Sequence, residues 1–117
     1  MELSVVQLEN GIKRIILKGR MDILGTGQID VRLAAETAAE KAFVVLDLSQ
    51  VDFLASVGIG VLVRSTKALR LRGGEAVIIS TVPIVTTVLE MTLITQVIKV
   101  FKDLDSACQF LTQSMQG

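Results

Sequence analysis

The sequence predicts an α/β fold in which a mainly parallel central sheet, opened by an N-terminal antiparallel hairpin, is packed by about four helices. Three observations carry this expectation. Two β-branched runs near the N-terminus are joined through Asn10-Gly11, a strong hairpin signal. Short, nearly continuous apolar runs at 42–49 and 75–80 have the character of strands covered on both faces. Segments with helical apolar spacing alternate with those strands, and that alternation implies parallel pairing with helices laid on the sheet. No linker, repeat or low-complexity stretch interrupts the order, so residues 1–117 are expected to form one domain.

Element by element, "LSVVQL" at 3–8 and "IKRIILK" at 12–18 are the hairpin strands. After "GRMD", the stretch from Gln28 to Lys41 places Ile29, Leu33, Ala34 and Ala38 near helical spacing, among alanines of high helix propensity. "AFVVLDLS" from Ala42 to Ser49 is the central strand, with Asp47 expected at its end. From Val57 to Arg72, Ile59, Leu62, Val63, Thr66 and Leu69 form one stripe, and Gly73-Gly74 is the stop. "EAVIIS" is a further strand. "TVPIVTTVLEMT" is β-branched, but Pro83 near its start and apolar residues at 84, 85, 88 and 89 favour a short helix. "VIKVF" reads as a last strand. "DLDSACQFLTQSM" reads as a terminal helix capped near Asp103, with Leu104, Ala107, Cys108 and Leu111 inward. Met21 and Met91 are expected to be packing residues, and Cys108 a small core hydrophobe.

Composition excludes several functions. Twelve basic and twelve acidic residues cancel, and no basic cluster accompanies an aromatic run, which argues against a nucleic-acid partner. The chain has no histidine and one cysteine, removing the commonest general base and metal ligand, the disulfide, and any thiolate cluster. No P-loop motif and no plausible carboxylate pair occurs, so an enzyme is not expected and no cofactor or metal is implied. Charged residues break every apolar run before the roughly 18 residues a membrane span needs. Glu2 and the lack of an apolar core in "MELSVVQLEN" do not suit an export signal, so the expected location is the cytoplasm.

Several motifs together carry a resemblance that covers nearly the whole chain: "GRMD", "VVLDLSQVDFL" leading into "SVGIGVL", "LRLRGGEAVI" and "VLEMTLITQVIKVF". With them the chain resembles the STAS family, and within it the bacterial anti-sigma factor antagonists. In that family the helix following the third strand opens with Asp-Ser-Ser-Gly-[Leu/Ile]-Gly. A partner that is both anti-sigma factor and serine kinase, of the histidine-kinase-like ATPase type, phosphorylates the second serine. On this sequence the acidic position is Ala55, the first serine is Ser56, the phosphoacceptor is Val57, and the glycines are Gly58 and Gly60. The resemblance thus implies a non-enzymatic binding module that releases a sigma factor by binding its anti-sigma factor, with the phosphoacceptor hydroxyl replaced by Val57. It also admits a STAS adaptor or scaffold subunit of a stressosome-like or membrane-transport complex, with a homodimer or larger STAS assembly.

The residues around this helix start have two readings each. Ser56 is either a candidate phosphorylation site, its phosphate held by the free amides of the helix N-terminus, or an N-cap worth about 1 kcal/mol. Gly58 and Gly60 each cost roughly 1 kcal/mol relative to alanine within a helix, so each needs a use, either close packing or backbone exposure to a partner. Val57, Val61, Ala68 and Leu71, flanked by Arg64 and Arg72, form a second apolar strip, read as a docking face or as surface covered by neighbouring helices. The resemblance places Asp22 at the partner surface; its other reading is a turn or cap acid before a helix beginning near Thr26.

Overall fold

The computed structural model describes residues 1–38 and 40–116. Among these residues the strands and α-helices follow in order: β1 (Glu2–Gln7), β2 (Ile12–Met21), α1 (Ile23–Ala38), β3 (Phe43–Leu54), α2 (Ser56–Leu71), β4 (Glu75–Ile79), α3 (Pro83–Met91), β5 (Val100–Phe101) and α4 (Leu104–Gln116). The strands lie in that spatial order in one sheet, β1 antiparallel to β2 and every other pair parallel. This is the expected architecture of hairpin, parallel sheet and four helices.

Alternation along the strands divides the interior in two. On one face, Ile15, Leu17, Val44, Leu46, Leu48, Ala76 and Ile78 pack with Ile29 and Leu33 of α1, Leu62 and Leu69 of α2, and Val85 and Leu89 of α3. On the other, Ile12, Val45, Val77 and Ile79 meet Ala107 and Leu111 of α4. The central β3 is therefore buried on both sides, as its continuous apolar run requires.

Several boundaries depart from the sequence expectation. The hairpin loop is three residues, Glu9–Gly11, closed by the Leu8 amide donating to the Ile12 carbonyl at 2.7 Å. Asn10 and Gly11 both take positive φ, 65° and 78°, which is what this dipeptide tolerates. Helix α1 starts at Ile23, earlier than the expected start at Gln28, because Asp22 caps it while Gly25 and Gly27 lower the local propensity signal. Its buried stripe is Thr26, Ile29, Leu33 and Thr37, whereas Ala34 is exposed and Ala38 half-buried. Thr37 can be buried because its hydroxyl donates to the Leu33 carbonyl at 2.8 Å. The expected extension to Lys41 crosses Ala39, which lies outside the described residues, and Lys41 is not helical.

Strand β3 continues past Ser49 to Leu54, pairing only with β2 once β4 has ended opposite Asp47. Asp47 is consequently not a strand-end residue but a buried group in mid-strand. Its Oδ2 accepts from Arg14 Nη2 at 2.6 Å and Nε at 3.0 Å, and its Oδ1 accepts from the Ser49 amide at 2.9 Å, just beyond the last β4 pair. Helix α3 forms with Pro83 in its first turn, but Met91 is 77% exposed and is no packing residue, unlike the fully buried Met21. Of the expected last strand only Val100 and Phe101 pair as strand, although Ile98 is buried. At α4 the expected cap forms: Asp103 Oδ1 accepts from the Ser106 amide at 2.7 Å. Ala107 and Leu111 are buried, while Leu104 and Cys108 sit half-buried at the edge of that core. Burial, and then the Asp105 carboxylate, push the Cys108 thiol up, against a smaller opposing effect of Arg14.

Candidate functional site

The start of α2 is fixed by the sheet. Met21 and Leu54 are register partners at the ends of β2 and β3, and the next amide, that of Ala55, donates to the Met21 carbonyl at 3.0 Å. The chain then turns into helix, with Ala55 extended (φ −102°, ψ 170°) and its carbonyl accepting from the amides of Gly58 and Ile59. Ala55 is thus the N-cap, and it offers no side-chain bond. The expected cap at Ser56 does not form, because Ser56 is one residue too far along, already inside the first turn. Ser56 is exposed, and its hydroxyl has no hydrogen-bond partner among the described residues.

Val57, which the sequence resemblance aligns with the phosphoacceptor, is 39% exposed. The two glycines separate in role. A Cβ on Gly58 would fall 2.8 Å from Leu54 Cδ1 and 2.8 Å from Met21 Cγ, so this glycine lets the helix start settle on the strand ends. A Cβ on Gly60 would meet only Arg64 Nη1, at 3.6 Å, so this position is open. Val61 is 2% exposed and belongs to the core, which removes it from the candidate partner face. Ala68 is half-buried, and Leu71 lies about 21 Å beyond Val57 along the axis. The second apolar strip is therefore broken, and only its first residue belongs to this site. The buried face of α2 also includes Gly58 and Ser65, whereas Ile59 and Val63 are half-buried. Small residues give little hydropathy signal, which rotates the stripe inferred from sequence away from the real one.

Beside this turn stands the start of α1. Asp22 Oδ1 accepts from the Gly25 amide at 2.8 Å, and its Oδ2 accepts from Arg20 Nε at 3.0 Å. The Gly25 amide, opposed by a smaller desolvation effect and aided by Arg20, holds the Asp22 carboxyl below its ordinary range. Arg20 in turn lies over the Phe53 ring, 3.9 Å from its centroid. Asp22 is therefore a cap acid, and its side chain still reaches the surface. Arg64 is exposed at 3.9 Å from Asp30 Oδ1 of α1. The sequence reading missed Ile23 and Leu24, both strongly exposed in the first turn of α1. Two adjacent aliphatics directly after a cap acid were the available signal.

The adjacent starts of α1 and α2 thus expose three aliphatic side chains, Ile23, Leu24 and Val57, with Arg20 and Asp22 just before α1 and Arg64 within α2. The model of the STAS domain matches residues 5–107. The chain belongs to the STAS family. No curated protein sequence matches it. Among solved structures, this STAS domain is similar to an anti-sigma-factor antagonist (STAS) domain protein from Planctomyces limnophilus, with TM-score 0.80 and 24% identity over 93% of this chain and 96% of that one. An anti-sigma factor antagonist from Mycobacterium paratuberculosis gives TM-score 0.79 and 21% identity over 95% of each chain. A sulfate transporter family protein from Wolinella succinogenes gives TM-score 0.77 and 14% identity over 94% of this chain and 92% of that one. At these identities the likeness is one of fold. Among the described residues, no helix is long and apolar enough to cross a membrane.

Proposed function

We propose that this STAS domain is a non-enzymatic binding module acting as an anti-sigma factor antagonist. It binds a serine kinase of the histidine-kinase-like ATPase type that serves as an anti-sigma factor, and so releases a sigma factor in the cytoplasm. The observation that carries the reading is the exposed Val57 at the phosphoacceptor position, adjoining the helix start that presents Ile23 and Leu24. A valine there enlarges the apolar face and takes no phosphate. In this reading the domain stays in a binding-competent state, and Asp22, Ala55, Ser56, Gly58, Gly60 and Arg64 surround the contact.

Co-purification with the kinase domain tests the reading. Val57→Asp places a carboxylate in the apolar contact and is expected to weaken binding about 30-fold or more, the effect of about 2 kcal/mol at a central interface residue. Undiminished binding by that variant would remove this face from the interface. Intact mass after incubation with kinase and ATP, with Ser56→Ala alongside, decides the switch. The expected result is no phosphate adduct; an adduct lost in Ser56→Ala would mean the acceptor has moved by one residue. The fold shared with a sulfate transporter family protein favours a second reading, an adaptor or scaffold subunit of a stressosome-like or membrane-transport complex. A stable homo-oligomer or larger STAS assembly in solution would select that reading.

A further inference from the structure

The end of the molecule opposite the candidate site, where α2 finishes and the parallel strands begin, has an unusual surface. Leu71, in the last turn of α2, is 86% exposed. Beyond the end of α3, Leu93 is 59% exposed, with Met91 and Val97 also open to solvent. Arg70 joins the two groups: its Nε donates to Glu75 Oε1 at 2.8 Å and its Nη2 to the Val97 carbonyl at 2.6 Å. Leu93 takes a left-handed conformation, φ 62° and ψ 15°. That conformation carries about a tenfold population penalty for a non-glycine residue. The turn is held by backbone bonds, the Leu93 amide donating to the Glu90 carbonyl at 3.3 Å and the Gln96 amide to the Leu93 carbonyl at 3.1 Å, while among the described residues the Leu93 side chain belongs to neither core cluster.

Several cations lie on the same segments as these aliphatics or on the segments next to them. Lys41, Lys67, Arg72 and Lys99 are exposed and form no ion pair among the described residues, and the Lys41 ammonium lies against Gly73 next to Arg72. Of the neighbouring acids, Glu75 is occupied by Arg70, leaving Glu40 and Glu90. In a protein of zero formal charge, the segments that carry these exposed leucines thus also carry cations without an ion-pair partner among the described residues.

We propose that this end of the domain docks on the anionic headgroups of a lipid bilayer, with Leu71 and Leu93 entering the acyl boundary. Charge complementarity selects the anionic surface, where each nearby Lys or Arg is worth about fivefold in partitioning. The leucines distinguish a bilayer from a soluble anion, which offers them nothing apolar to enter. A monomer with this few cations binds weakly and reversibly. The inference stands apart from the partner contact at Val57.

Co-sedimentation of the intact chain with vesicles tests it. With phosphatidylcholine and phosphatidylglycerol in equal parts at low salt, the protein is expected to sediment, and with phosphatidylcholine alone to stay in solution. Lys67→Gln and Arg72→Gln should each lower partitioning about fivefold, and Leu71→Ser about tenfold. Leu93→Gly should also lower it without lowering thermal stability, since glycine adopts positive φ freely, so its loss of binding is not a loss of fold. Failure to sediment with the anionic vesicles overturns the proposal. So does equal sedimentation of the native chain and the two leucine variants.

Discussion

Asp47 offers the sharpest test of how this fold is held. Among the described residues it is the one carboxylate buried to 1% exposure, and it performs two tasks at once. Oδ2 receives two bonds from Arg14, clamping β2 to β3, while Oδ1 receives the Ser49 amide where β4 has stopped pairing. Breaking a fully buried pair costs about 3–5 kcal/mol, but Arg14 stays 30% exposed and can turn to water, so the lower part of that range applies. Asp47→Ala loses both tasks and is expected to cost about 3 kcal/mol. Asp47→Asn keeps an acceptor for Ser49 and should cost about 1 kcal/mol less, the worth of one satisfied amide. For a chain of this size 3 kcal/mol corresponds to about 12 °C in Tm. Urea denaturation and calorimetry of the three proteins supply the comparison.

The pH dependence gives an independent arm of the same test. Burial pushes the Asp47 carboxyl up, but the Ser49 hydrogen bonds and Arg14 outweigh it and leave the group below its ordinary value. The folded state therefore binds the proton less readily than the unfolded chain. The contribution is fully present above the unfolded value of about 3.9 and is lost as pH falls through the folded value. In acid the native protein should accordingly lose part of its advantage over Asp47→Asn. A cost below 1 kcal/mol for Asp47→Ala, or a stability gap from Asp47→Asn that does not narrow in acid, would refute the clamp.

The remaining expectations concern the site and one surface position. Gly60→Ala should stabilise the protein by about 0.5–1 kcal/mol, because the added methyl enters open space in a helix. Gly58→Ala should unfold at lower temperature than the native chain, since its methyl meets Leu54 and Met21, both held in the core; overpacking costs about 1–3 kcal/mol. Equal melting temperatures for the two alanine variants would contradict this division. Asp22→Ala should fray the first turn of α1, read as faster hydrogen exchange at the Gly25 amide with the sheet unaffected. Met91→Gln, at an exposed position, should change stability by less than about 0.5 kcal/mol in thermal melts.

The hairpin, the parallel order and all four helices were legible because they rest on local signals: Asn10-Gly11, apolar runs of strand length, helical periodicity, and stops at Gly73-Gly74. The motif "SVGIGVL" likewise located the start of α2. What the sequence could not decide depended on neighbours distant in the chain. Ser56 has the chemistry of a cap, yet the bond from the Ala55 amide to Met21 sets the helix phase and leaves the hydroxyl in solvent. Val61 and Leu71 fall in one apolar strip when read from the sequence, but only Val61 faces the packed side of α2. Gly58 and Gly60 are the same residue two positions apart, and only the approach of Met21 and Leu54 makes one of them necessary for packing. Asp47 reads as a strand-end polar residue until β2 brings Arg14 beside it. Local sequence determines which element forms, because capping, propensity and periodicity act within a few residues. Tertiary structure decides which face of that element is buried, because burial depends on the surfaces that register and packing bring against it.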